Sequence, residues 1–241
     1  MLRLTDASSV AILCMKVNKI RGDFFRPASI SLFGEVNLKK VKLGEIAKLN
    51  VGLVLSRYGE KSKELGHTHN EIADKAIYKS VTLRAISDDG MLDISECDTF
   101  EVTEKIPFQY FTQKDDILMR LFSPIKVGLV TKEQENLIVP SQFAIIRVDS
   151  EQILVEYLFV LMQQPYFCNQ IERASKGSQL KTLSVSSLAD MELNIPDIQT
   201  QKKIIDFYKL VQQQKAIEIK LQNRKDLYFK EILKRMTTGD N

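Results

Sequence analysis

The spacing of apolar positions changes character twice along the chain. From Met1 to about Leu38, the apolar runs VAILCMKV and ISLF surround a turn-like IRGDFFRP and keep no clear period. From Val41 to about Pro196 the apolar runs are of strand length and are bounded by turn residues. VKLGEIAKLNVGLVL predicts a strand and a short helix, KAIYKSVTL and DILMRL predict strands, and VPSQFAIIRVD ends in another. One stretch, ILVEYLFVLMQQPYFCNQIERAS, repeats its apolar residues three and four apart and predicts helix, in two pieces because Pro165 interrupts the hydrogen-bond ladder. KGSQLKTLSVSSLADMELNI follows as a basic-polar turn, a hydroxyl-rich segment and a strand that stops at Pro196.

Beyond Pro196 the pattern is helical throughout. DIQTQKKIIDFYKLVQQQKAIEIKLQNRKDLYFKEILKRM has no proline or glycine and is rich in good helix formers, with Asp197 or Thr200 placed to cap its start. A helix of this length reaches roughly 55 Å at 1.5 Å per residue, more than a small domain is wide. Its stripe of Phe207, Leu210, Gln214, Ile217, Leu221, Arg224, Tyr228 and Ile232 alternates spacings of three and four. That is the seam of a coiled coil, with Gln214 and Arg224 as the polar positions that set register and partner. The alternative is a helix lying along its own domain, for which so narrow a seam leaves the packing incomplete.

Composition places the chain among ordinary globular proteins: 44% of its 241 residues are hydrophobic and 27% charged. The expected organisation is α+β, with an N-terminal extension over residues 1–40, one globular domain of mixed strands and helices over 41–197, and a long helix over 198–241. The net charge of +3 is unevenly placed: Gln201 to Asn241 carries ten basic and five acidic residues, so the rest of the chain is slightly acidic. A solvated helix face explains this, and so does contact with an acidic partner. Cys14, Cys97 and Cys168 are too widely spaced for a disulfide framework and read as small buried hydrophobes in a reducing compartment. The run Val10 to Met15 is too short to cross a bilayer and lacks the flanks of a signal peptide, so a cytoplasmic protein without a membrane partner is expected.

Candidate catalytic motifs dissolve on inspection. QQPYF, Gln163 to Phe167, lacks the leading Asp or Asn and the second proline of the adenine-methyltransferase motif, and no glycine-rich nucleotide turn precedes it. Pro196 and Asp197 with Glu218 to Lys220 imitate a metal-dependent nuclease signature, but the E-x-K lies along a helix rather than on a strand beside a metal. His67 and His69 have no convincing third ligand for zinc. With no P-loop and no Ser-His-acid set, the expectation is a binder that is not an enzyme and uses neither cofactor nor metal.

The order of the closing segments resembles a known family. A helix, then ERASKGSQLKTLSVSSL, the strand MELNIP, DIQTQKKI and a long helix is similar to the end of a target-recognition domain in the DNA-specificity subunits of type I restriction-modification systems. The matching positions are Gly177, Ser178, Leu183, Ser184, Leu188, Ile195, Pro196, Gln201 and Ile204. Upstream, VKLGEIAKLNVG is similar to that family's domain-opening strand and helix, DDILMRLFSPIKVGLV to its "GDIL" strand and hairpin, and IVPSQFAIIRVD to the strand before its helical pair. Asp115 departs from the family's usual glycine, and residues 1–40 match nothing in it.

The resemblance implies a specificity subunit of half length, with one recognition domain and one long helix where the complete subunit has two of each. It implies a homodimer through the helix, reading a bipartite site in double-stranded DNA, and partners in a methyltransferase subunit and a restriction subunit that carry the chemistry. Residues suited to phosphate attraction or base reading are Arg57, Tyr58, Lys61, Lys63, His67, His69 and Asn70 in the polar loop, then Arg84, Arg120 and Lys126 on strands and hairpin. Lys176, Ser178, Gln179 and Lys181 in the closing turn complete the set. Against them stands the solubilising role of any surface cation, and Gly177 and Ser178 also serve simply to stop a helix. Two rival readings remain: a non-catalytic protein-interaction module assembled through the coiled coil, and the detached recognition domain of an adenine methyltransferase.

Overall fold

The computed structural model describes residues 37–59, 76–102, 104–175 and 183–238. The apolar runs before residue 37, with Cys14, lie outside the described residues. Contacts divide the chain after Gln201 into two compact units.

In the first unit the organising strand is FAIIRV, too apolar to leave either face in water. It forms β7 (Phe143–Val148), an inner strand of a four-stranded antiparallel sheet. The sheet order is β2 (Ala47–Val51), β7, β5 (Ile117–Arg120) and β6 (Val127–Leu129). Leu118 faces Ile145 across the ladder and, with Phe143, packs on Val81, Ala85, Ile86, Leu92 and Val139. On the alternate positions Ile117, Met119, Ala144 and Ile146 are equally buried, which is why these strands read as continuous apolar runs rather than alternating ones.

Two smaller sheets accompany this one, the first inserted in sequence between β2 and β5 and the second formed from the strands on either side of it. β3 (Ala76–Ser80) pairs with β4 (Asp98–Val102), and Phe100 and Val102 join Leu53, Ile106, Phe111 and Ile138 in a second apolar cluster. β1 (Lys39–Lys42) pairs with β8 (Glu192–Ile195), Val41 opposite Leu193, so the opening strand of the domain is zipped to its closing strand. The short helix expected after the opening strand is α1 (Leu43–Ile46), its first turn held by the Glu45 carboxylate accepting from the Lys42 N–H at 3.1 Å.

The amphipathic stretch divides as its proline requires. α2 (Val155–Met162) ends before Pro165, and Pro165 then opens α3 (Pro165–Ser175), where its missing N–H costs nothing. The hydroxyl-rich segment is more ordered than its sequence suggested. Ser184 accepts a hydrogen bond from the Ser187 N–H at 3.1 Å and starts the one-turn helix α4 (Val185–Ala189), which buries Leu188 completely. Cys97 and Cys168 correct the expectation of buried thiols, since both are only partly buried. Cys97 sits at the margin of its cluster beside the Asp93 carbonyl (Sγ to O 3.7 Å), and burial still pushes its thiol up.

Two polar features stabilise the frame. Asp116, 2% exposed, accepts a two-pronged pair from Arg147: Nε to Oδ1 at 2.8 Å and Nη2 to Oδ2 at 3.1 Å. Arg147 Nη2 also donates to the Phe111 carbonyl at 2.8 Å, and the Gln113 N–H to Asp116 Oδ2 at 2.8 Å. Burial pushes the Asp116 carboxyl up, against the pull of the guanidinium. Beside it Asp115 holds a φ of 69°, the left-handed region, which accounts for glycine being usual there in the resembled family. Asp tolerates that conformation better than most side chains do.

The second feature is Gln201. Helix α5 (Ile198–Thr238) starts at a cap formed by Asp197, whose carboxylate accepts from the Thr200 N–H at 3.0 Å and the Thr200 hydroxyl at 2.8 Å. One residue on, Gln201 is fully buried. Its Oε1 accepts from the Leu154 N–H at 2.9 Å, and its Nε2 donates to the carbonyls of Gln152 (2.9 Å) and Pro196 (2.8 Å). The amide fills the polar groups left open where α2 begins and β8 ends, fastening the first turn of α5 to both.

The second unit is the remainder of α5 from Lys202. Among the described residues, no helix is long and apolar enough to cross a membrane.

Candidate nucleic-acid interface

The antiparallel register sends four strand ends to one side of the central sheet. β2 finishes there opposite the start of β7 (Val51 with Ala144), β5 finishes opposite the same start (Arg120 with Phe143), and β6 begins beside Met119. Everything that joins or leaves the strands at that end is brought together, however far apart in sequence.

The segment carrying Arg57 and Tyr58 departs from this end. Gly52 N–H donates to the Phe143 carbonyl at 2.9 Å, Leu53 N–H to Val139 at 2.7 Å, and Ser141 N–H back to Leu53 at 2.8 Å. The approach is so close that a Cβ on Gly52 would lie 2.2 Å from the Pro140 carbonyl oxygen, so only glycine fits. A single 3₁₀ turn, Leu55–Arg57, follows; Arg57 is exposed and Tyr58 is partly buried against the cluster of Leu53, Phe100 and Val102.

The β5–β6 hairpin contributes Arg120 and Lys126, which face each other across the ladder (Arg120 N–H to Lys126 carbonyl, 2.9 Å). Arg120 lays its guanidinium over the Phe122 ring, with Cζ 4.1 Å from the centroid. Lys126 donates to the Ile86 carbonyl at 3.3 Å and pairs with Asp88 at 2.9 Å. Arg84, in the same connection between β3 and β4, pairs with Glu96 at 3.4 Å.

Leu183, the first described residue after the closing turn, returns here too. Leu183 N–H donates to the Leu121 carbonyl at 2.8 Å, while Leu121 N–H donates to Gln142 at 3.0 Å. Leu183, where the closing turn ends, is thus stitched to the hairpin through its main chain.

Of the expected site residues, Arg57, Tyr58, Arg120 and Lys126 are brought to one sheet end, with Arg84 in the segment that partners Lys126. Lys61, Lys63, His67, His69, Asn70, Lys176, Ser178, Gln179 and Lys181 lie outside the described residues. The cations present differ in state. Lys126 and Arg84 are neutralised by Asp88 and Glu96, whereas Arg57 and Arg120 have no carboxylate partner among the described residues. Gln142, exposed between Ser141 and the buried Phe143, joins the same end; its sequence signal was only its place just before a strand. Phe122 was missed as well, since its role depends on Arg120 folding back onto it. Among the described residues, no three His, Cys, Asp or Glu side chains gather to hold a metal ion. The nuclease imitation dissolves here too: the Asp197 carboxylate caps a helix, and Glu218 accepts from Gln214 at 2.8 Å.

On α5 the apolar seam is open to solvent. Phe207, Leu210, Ile217, Leu221, Tyr228 and Ile232 are all exposed, and Phe229, Leu233 and Met236 widen the stripe toward the C-terminus. A long helix with such a stripe fits a coiled-coil strand.

The same α+β architecture with a long helix occurs in solved specificity subunits of type I restriction-modification systems. It aligns with the HsdS subunit from Thermoanaerobacter tengcongensis at a TM-score of 0.55 and 17% identity, over 81% of this chain and 45% of that one. A chain from a structure of the type I R-M system, solved for its assembly and conformational transition, aligns at 0.55 and 12% identity, over 94% and 50%. In sequence the chain is 30% identical to the Type I restriction enzyme HindI specificity subunit of Haemophilus influenzae over 103 residues, 39% of this chain and 21% of that protein. No family model matches. The chain is therefore similar to type I specificity subunits in sequence and in fold, and spans about half the length of the solved ones.

Proposed function

We propose that the chain is a sequence-specific DNA-recognition subunit of a type I-like restriction-modification system. Supporting this is one observation above the others: the polar-loop stem, the hairpin and the end of the closing turn meet at a single sheet end, in a fold shared with specificity subunits. Arg57 and Arg120 supply uncompensated positive charge there, and Lys126 and Arg84 become available to phosphate if their carboxylates are displaced. The domain does no chemistry of its own. Methylation and cleavage belong to partner subunits, a methyltransferase and a restriction subunit, that the recognition domain brings to the site.

A single domain reads one short half-site. Two chains joined by the α5 seam from Phe207 to Ile232 form a symmetric pair and read a split, inverted-repeat sequence. Burial of six large side chains that otherwise stand in water drives the pairing, with Gln214 and Arg224 fixing its register. The test is duplex binding titrated against salt, together with the mass in solution. The expected results are a steep loss of affinity with ionic strength and a dimer that Leu210→Glu with Leu221→Glu converts to a monomer. Salt-independent or absent DNA binding by a stable dimer would instead favour a protein-interaction module.

A further inference from the structure

We infer that Arg120, held flat by Phe122, is the residue that selects a guanine in the recognised half-site; this rests on the DNA-recognition reading above. The residue differs from Lys126 and Arg84 in three ways, and from Arg57 in the first and third. Its guanidinium lies on the Phe122 ring at 4.1 Å rather than reaching freely into solvent. No carboxylate neutralises it among the described residues, while Lys126 opposite has Asp88 at 2.9 Å and Arg84 has Glu96 at 3.4 Å. Its Nε is buried and has no hydrogen-bond partner among the described residues.

Backbone position explains the first and third features together. Arg120 lies on the face of β5 that carries Leu118, directly across from Phe143, so its stem closes the end of the apolar cluster and draws Nε inside. The two terminal nitrogens, unlike Nε, are not among the buried unpartnered atoms, and Arg120 itself stands at the strand end that Gln142 and the Arg57 segment share. A guanidinium fixed in its plane by stacking has already given up its rotational freedom. Its remaining N–H groups point in parallel, the geometry of a two-acceptor ligand.

Two acceptor pairs in duplex DNA match that fork: O6 and N7 of guanine in the major groove, and two oxygens of a phosphate. Orientation favours the base. Phosphate attraction tolerates mobile cations, and the exposed Arg57 provides one, whereas a base edge is read only by a donor pair held at a fixed angle. A rigid Arg without a carboxylate partner among the described residues, beside the ion-paired Lys126 and Arg84, is suited to discrimination more than to general attraction.

Selection from a randomised duplex library, run with the full chain and with Arg120→Lys and Phe122→Leu variants of confirmed fold, decides the matter. Arg120→Lys keeps the charge and loses the planar fork; Phe122→Leu keeps the fork and loses the plane. The expected result is a guanine enriched by the wild-type chain whose preference falls about tenfold or more in Arg120→Lys and partly in Phe122→Leu. The other base positions and the salt slope are expected to stay as in the wild type. Uniform weakening across all sequences, with the guanine preference kept, would make Arg120 a phosphate contact and overturn the assignment. Unchanged selection in both variants would also overturn it while leaving DNA recognition standing. A wild-type chain that selects nothing would remove the reading on which it rests.

Discussion

Replacing Gln201 with leucine should cost the domain about 3–5 kcal/mol, far more than its place at the start of an otherwise exposed helix suggests. Leucine fits the volume, so the loss is polar. The Leu154 N–H and the carbonyls of Gln152 and Pro196 each lose a partner at 2.8–2.9 Å around an amide that is itself fully buried. An abandoned buried donor or acceptor costs about 1–3 kcal/mol, and carbonyls retain a second lone pair, so the three together stay below the maximum sum. Against a typical domain stability of about 5–15 kcal/mol this is a large fraction. Urea unfolding followed by tyrosine fluorescence is the appropriate assay, because the chain has no tryptophan and helical circular dichroism would be dominated by α5. The midpoint should fall with m unchanged. Gln201→Glu, which keeps the acceptor but sets a charge against two carbonyls, should be no better. A loss below about 1 kcal/mol in Gln201→Leu would refute the idea that this amide fastens the helix start.

Further predictions follow from the frame. Asp116→Ala leaves Arg147 facing a hole and should destabilise by about 3–5 kcal/mol, read in the same urea assay. At Asp115, whose φ is 69°, glycine should be neutral or stabilising, whereas valine should lose about 1–2 kcal/mol. Hydrogen bonds from Thr200 hold the Asp197 carboxyl below its usual 3.8. Its contribution is therefore fully present above that value and is lost as pH falls through the lower folded value. Thermal melts taken across acid pH should show that Asp197→Ala loses stability at neutral pH and has a shallower acid dependence than the wild type.

Much of the architecture was legible because it depends on local pattern. The apolar runs of DILMRL and FAIIRV mark inner strands, Pro165 divides the helical pair, and the forty-residue stretch without glycine or proline can only be one helix. Position along the chain was enough to list Arg57, Arg120 and Lys126. What the sequence concealed were relations between distant residues. The Asp116–Arg147 pair spans 31 positions, and Gln201 reaches partners 47 and 49 positions away, so no window of sequence contains either. The hydroxyl-rich SVSS gave no hint that one serine caps a helix while Leu183 beside it bonds to the hairpin. Likewise, the difference between neutralised Lys126 and unpaired Arg120 depends on where Asp88 falls in space, and composition carries no record of that.

The most direct test of the central claim is the form of the DNA sequence that the intact chain enriches from a random duplex pool. The account predicts two copies of one short motif in inverted orientation, separated by a spacer of fixed length, because two identical domains joined by symmetric helices see the same bases from opposite sides. Enrichment of nothing above background, or of a single undivided motif, would contradict it.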